Sequence, residues 1–203
     1  MVPPSVQLPA IVLAAGRGIR FGGAAPKSLT LLHGRPLLAY ALEAARASGC
    51  APVLLVVSDD RVADAAGADV EVVRNDAPER GISSSLQCAL QRLEPDERTV
   101  AAVIGLADQP RVGAEAYRRL ARAYDTGAEL AYATYEGARG NPVLIGRRHW
   151  PEAMQLTGDE GARVLFRRHP AVAVPCDETG TAADVDTPED LAELESRVTD
   201  MEN

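Results

Sequence analysis

A chain of 203 residues is long enough for one α/β domain with a substantial core, and its 46% hydrophobic and 25% charged residues are ordinary globular composition. A net charge of −8 argues against non-specific nucleic-acid binding, and an aromatic content of 4% argues against a stacking platform for single strands. An anionic ligand would therefore need a local basic site inside an acidic protein.

Residues 1–8 read as a tail, with neither the charged start nor the long apolar stretch of a signal peptide. Residues 10–15 (AIVLAA) form a buried-strand run that ends in glycine. After a glycine-rich loop, Pro36 opens the helix PLLAYALEAARAS, which Gly49 stops. Residues 53–57 (VLLVV) are a second buried strand, 59–66 a short helix and 69–73 a third strand. Ser83, Ser84 and Ser85 are suited to cap a helix running to about Leu93. A fourth buried strand spans 100–106, and an amphipathic, Arg-rich helix spans 113–124. Short strands follow at 130–134 and 142–145, then a helix at 159–168 and a strand at 171–174. Thr187-Pro188 caps and opens a last helix through Arg197.

Continuous apolar strands between helices predict a three-layer α/β sandwich whose mostly parallel, Rossmann-like sheet is covered on both faces. No repeat or linker divides the chain, so residues 9–198 are expected to form one domain, with 199–203 a C-terminal tail. No apolar stretch approaches a membrane span, so a cytoplasmic location without a membrane partner is expected. Cys50, Cys88 and Cys176 are scattered and odd in number, which fits inert buried thiols better than a disulfide or zinc framework. His33, His149 and His169 show no partner spacing and read as surface residues, and Trp150 reads as packing.

Open α/β sheets bind ligands beyond the carboxyl ends of their strands. Three places qualify: the loop after Ala15, the loop after Leu106, and the segment 184–186. The first reads LAAGRGIRFGGAAPKS. Its glycines Gly16, Gly18, Gly22 and Gly23 let backbone amides approach a ligand, while Arg17, Arg20 and Lys27 add three cations. A dinucleotide fingerprint fails at Phe21, which disfavours an oxidoreductase, and a P-loop fails at Pro26. Asp108 stands just past the fourth strand, placed equally well for a metal ion or for a turn. Asp184 and Asp186 share a face if extended, and Asp186 with Thr187 also suits a helix cap.

Together the strings LAAG-R-G-x-R-F-G-G, P-K-S-L and G-R-P-L-L resemble the amino-terminal signature of nucleotidyltransferases with a glycosyltransferase-A-like fold. Within that superfamily the chain is similar to molybdenum-cofactor cytidylyl- and guanylyltransferases, through GLADQP, RGNPVL, GDEGAR and VDTPEDL. The resemblance implies transfer of NMP from an NTP to a phosphorylated small acceptor of the molybdopterin type, with Mg2+ as cofactor. CTP is favoured because LAAG stands where guanylyltransferases carry LAGG. It implies Arg20, Lys27 and Asp108 as catalytic groups, and Ala14, Ala15, Gly16, Arg17, Gly18, Gly81 and Ser84 as nucleotide-binding. It also implies Asp108 and Asp186 as metal ligands, with Gly140, Asn141, Asp159 and Arg163 near the acceptor. A molybdenum hydroxylase is the partner that such an activity would supply. A sugar- or polyol-phosphate acceptor, or a non-catalytic nucleotide-binding role, are the alternatives.

Overall fold

In the computed structural model, residues 7–16 and 25–199 are described. Seven strands form one sheet in the order β5-β4-β1-β6-β8-β7-β9. They are β1 (Ala10–Leu13), β4 (Val53–Val57), β5 (Glu71–Arg74), β6 (Ala101–Leu106), β7 (Leu130–Tyr135), β8 (Ala138–Gly146) and β9 (Val172–Pro175). A separate hairpin pairs β2 (Leu31–Leu32) with β3 (Arg35–Pro36). Strands β5, β4, β1 and β6 run parallel, β8 is antiparallel to both neighbours, and β9 is parallel to β7. This is the expected three-layer, Rossmann-like arrangement.

Helices cover both faces, which is why β1 and β4 are buried at every position. One face carries α1 (Leu37–Ala47) and α4 (Ala114–Asp125), packing Leu38, Leu42, Tyr117 and Leu120 on the sheet. α2 (Asp60–Asp64) adds Val62 to that layer. The other face carries α3 (Ile82–Leu93), α5 (Trp150–Ala153) and α6 (Arg163–Arg168), packing Leu86, Leu90, Trp150 and Phe166. Trp150 is 1% exposed and its indole N–H donates to the Ile145 carbonyl, a packing role as expected. The last helix, α7 (Pro188–Thr199), docks on the hairpin through a small cluster of Leu32, Leu37, Val185 and Leu194.

Several boundaries differ from the sequence expectations. The helix expected over 159–168 is formed only over Arg163–Arg168, because Gly158 and Gly161 take positive φ (68° and 51°) and hold the preceding residues in turns. Ser83–Ser85 do not precede α3 but lie buried inside its first turn; the cap position is Gly81, at φ 85°. The strand expected over 142–145 is the inner part of the longer β8. His149 is not on the surface: it is 8% exposed, and His169 is half-buried against Glu152. Cys50 and Cys176 are buried and Cys88 half-buried, and burial pushes all three thiols above their ordinary pKa. No helix among the described residues is long and apolar enough to cross a membrane.

Candidate active site

The parallel strands place two of the three suspected segments side by side. β1 and β6 are adjacent and in register, with Leu13 opposite Leu106, so the chain leaves both strands at the same edge. Ala14, Ala15 and Gly16 follow β1, and Ala107 and Asp108 follow β6. The third segment joins them by backbone: the Val185 N–H donates to the Asp108 carbonyl at 3.0 Å. Val185 is fully buried between hairpin and α7, an anchor worth about 1.5–3 kcal/mol that fixes its neighbours Asp184 and Asp186.

Lys27, entering on the short 3-10 turn Lys27–Leu29, reaches into this junction. Its Nζ donates to Asp108 Oδ2 at 2.7 Å and to Asp186 Oδ1 at 2.5 Å, and its side chain is only 11% exposed. Burial alone would lower the Lys27 pKa, but the two carboxylates outweigh it and hold that pKa above the ordinary lysine value. Asp184 completes the acidic group. Loss of water and the facing Asp108 and Asp186 push its pKa up, against the pull of Lys27 and of Gln109, whose Nε2 donates to it at 2.8 Å. The helix-capping duty that Asp186 shared in the sequence reading is discharged by its neighbours. Asp190 accepts from the Asp186 and Thr187 N–H groups, and the Asp190 N–H donates to Thr187 Oγ1.

Lys27, Asp108 and Asp186 line a cleft of about 570 Å³, a size that suits a nucleotide. Ala14, Ala15 and Gly16 line it, as do Gly81 and Asp159. So does Ser28, whose buried hydroxyl has no hydrogen-bond partner among the described residues. An unspent donor beside Lys27 is the kind of group a ligand oxygen satisfies. The carboxylates offer an all-oxygen donor set, which fits a hard divalent cation.

A smaller cavity of about 150 Å³ adjoins the cleft, sharing Leu13, Ile82, Leu106 and Asp159 with it. Gly140, Asn141, Asp159 and Arg163 all line this second cavity, so the four residues expected near an acceptor are brought together. Arg139 lies over the Tyr132 ring at 4.1 Å and near Phe166 at 5.4 Å, forming a cationic, aromatic wall. Gly140 lies close to Tyr135 and Ala182, where a Cβ would approach the Ala182 methyl to 2.6 Å. Asp159 sits on the boundary: its carboxylate accepts from the Ile82 N–H at 3.2 Å and so caps α3. Gly81 makes this approach feasible, since a Cβ there would stand 2.5 Å from Asp159 Oδ1.

Ser84 does not face the cleft. It is 3% exposed, and its hydroxyl donates towards the Ala77 and Gly81 carbonyls while accepting from Asn75 Nδ2. Ser85 lines the cleft in its place. Arg17, Gly18, Arg20, Gly22 and Gly23 lie outside the described residues. Sequence reasoning missed Ser28, although it directly follows Lys27, and it missed Gln109 and the Tyr132–Phe166 pair. Ser28 and Gln109 carry a local signal, their places in the P-K-S and GLADQP strings, whereas the aromatic pair carries none.

The profile of the family described as MobA-like NTP transferase domain matches residues 10–173. Among solved structures, Rv0371c of Mycobacterium tuberculosis H37Rv superposes with a TM-score of 0.80 at 32% identity, over 95% of this chain and 98% of that one. The same protein in complex with manganese gives a TM-score of 0.77 at 30% identity, over 95% and 99%. Nicotine blue oxidoreductase of Paenarthrobacter nicotinovorans is 30% identical over 196 residues, 91% of this chain and 94% of that protein. The bifunctional protein GlmU of Kineococcus radiotolerans is 39% identical over 152 residues, 71% of this chain but only 30% of that protein.

Proposed function

The chain belongs to the family of MobA-like NTP transferase domains, and on that premise we propose that it transfers CMP from CTP to a molybdopterin-type phosphate, releasing pyrophosphate. The observation that carries this reading is the seat of Lys27 between Asp108 and Asp186, in the wall of a nucleotide-sized cleft that adjoins a second cavity.

The acceptor phosphate is already ionised, so its oxygen attacks the α-phosphorus in line and no protein base is needed. Lys27 neutralises the charge that develops on the phosphoryl oxygens, and Arg20 is assigned the same task by resemblance. The Ser28 hydroxyl donates to a phosphate oxygen, and Gly16 presents backbone to the triphosphate. Asp108 and Asp186 would hold Mg2+, with Asp184 behind them. When bound, that ion supplies charge stabilisation at the reacting phosphate. Arg139, Asn141 and Arg163 orient the acceptor, and a molybdenum hydroxylase would use the product.

The test is a matrix of four NTPs against phosphorylated acceptors, namely molybdopterin, sugar phosphates and polyol phosphates, read by pyrophosphate release. Release with CTP and molybdopterin alone is expected. Release with a sugar phosphate would move the acceptor assignment, and none with any pair would favour a binding role. The nearly full-length alignment with nicotine blue oxidoreductase favours one second reading, an oxidoreductase acting on nicotine blue. A change in the absorbance of nicotine blue on incubation with the protein and a redox partner, with the matrix silent, would put that reading first.

A further inference from the structure

A different set of ligands lies at the far end of the sheet. β8 finishes at Gly146, opposite Ala101 at the start of β6, whereas Asp108 lies beyond the end of β6. At the usual rise per residue, the two ends of that strand path stand roughly 20 Å apart. Beyond Gly146, a 3-10 turn delivers His149 and α5 delivers Glu152, three residues on and therefore on the same side. His169, at the end of α6, closes on them from the other direction.

The metal-capable atoms of His149, Glu152 and His169 all lie within 4.8 Å of one another. The two imidazole rings are 4.7 Å apart, and His169 Nε2 is 2.5 Å from Glu152 Oε2. The other oxygen of Glu152 accepts from Arg168 Nη1 at 3.0 Å, an outer contact that fixes the carboxylate's orientation.

We propose that His149, Glu152 and His169 form a binding site for a divalent transition ion of the zinc class, distinct from the carboxylate site. Two imidazoles and one carboxylate are the donor set of a three-ligand zinc site, whose fourth position is taken by water. Glu152 and His169 are partly exposed, so that position opens to solvent. Tetrahedral bonds of about 2.0–2.1 Å set ligand atoms about 3.3 Å apart, so the wider contacts of the group close while His169 Nε2 and Glu152 Oε2, at 2.5 Å, move apart to admit the ion. The ion ties the start of α5 to the end of α6, the helix whose Phe166 and Arg163 line the smaller cavity. The donor chemistry also sorts the ions: imidazole nitrogen selects zinc here, while oxygen alone serves the hard cation at Asp108.

The test uses calorimetric titration of zinc chloride into the metal-stripped full chain carrying Asp108→Asn, which weakens the other site. One equivalent of zinc is expected to bind. Adding His169→Ala or, separately, Glu152→Gln is expected to weaken binding roughly a hundredfold or more, beyond the 10–100-fold typical for loss of an outer partner. Circular dichroism checks that each protein is folded; both side chains are partly exposed, unlike that of His149. Unchanged affinity in a folded His169→Ala or Glu152→Gln protein would overturn the proposal, as would the absence of zinc binding in the Asp108→Asn parent. Neither outcome depends on which NTP or acceptor the protein uses.

Discussion

The two halves of the sheet solve different problems. In the parallel half, β5-β4-β1-β6, strands β1 and β4 are sealed at every position and their neighbours leave the sheet at one edge. Each half ends in an open edge strand, with Val72 of β5 39% exposed and Val172 of β9 47% exposed; the mixed half, β8-β7-β9, differs in that its inner strand β8 begins with two exposed residues. The parallel half sets Asp108 against Lys27, while the mixed half contributes Arg139, Gly140 and Asn141 to the smaller cavity, with Tyr132 of β7 stacked on Arg139. A charge centre needs backbone that does not move, which sealed strands provide. A wall that fits a particular acceptor can be built from less constrained strand starts and loops. On the proposed reading, reaction type belongs to one half and acceptor choice to the other.

The largest expected effect tests the charge centre. Asp108→Asn should lower kcat for pyrophosphate release about a hundredfold, by analogy with loss of a preorganised stabilising group, with acceptor KM little changed. A loss confined to KM would break the division between halves. Next, the rigidity of the parallel half can be probed at Gly105, where a Cβ would collide with the buried Tyr117 hydroxyl. Gly105→Ala should cost about 1–3 kcal/mol in urea denaturation, as overpacking does. An unchanged midpoint would mean that Tyr117 has room to retreat and that this half is softer than its burial suggests.

In the mixed half, Arg139→Ala removes the guanidinium stacked on Tyr132. It should raise acceptor KM roughly 2- to 30-fold, the equivalent of about 0.5–2 kcal/mol, and leave kcat nearly intact. A drop in kcat instead would tie Arg139 to the chemistry. The smallest effect concerns His149, whose pKa is depressed by burial. Above the ordinary histidine value of 6.5 it is neutral folded or unfolded, so it imposes no pH dependence there. Below that value the unfolded chain takes up a proton that the folded chain resists, so stability falls with falling pH. In a chelator, Tm should therefore decline between pH 7 and 5, and His149→Gln should flatten the decline.

The same contrast governs what the sequence discloses. β1, β4 and β6 are legible because strands buried on both faces must be continuously apolar. The hairpin of β2 and β3 is not, since two residues per strand carry no periodicity. The helix expected over 159–168 forms only in its second half, because Gly158 and Gly161 hold turns before it and Asp159, which looks like its cap, instead caps α3, 77 residues away in sequence. Lys27, Asp108 and Asp186 were identified through motif resemblance, and only the fold displays their meeting. Ser84 was misplaced because a serine before a helix and a serine inside its first turn read alike. The His149–Glu152–His169 group was missed because its third member arrives 17 residues after Glu152, past an entire helix.

Lys27 and Asp186 are separated by 159 residues. At about 5–20 residues per second, a ribosome needs between about 8 and 32 s to travel from one codon to the other. Throughout that interval the ammonium has been made and its second carboxylate has not, and β1 can already pair while the centre stays incomplete. Competence for phosphoryl chemistry is thus deferred until α7 emerges and seats Val185, so a prematurely stopped chain would be a folded sheet without a working end.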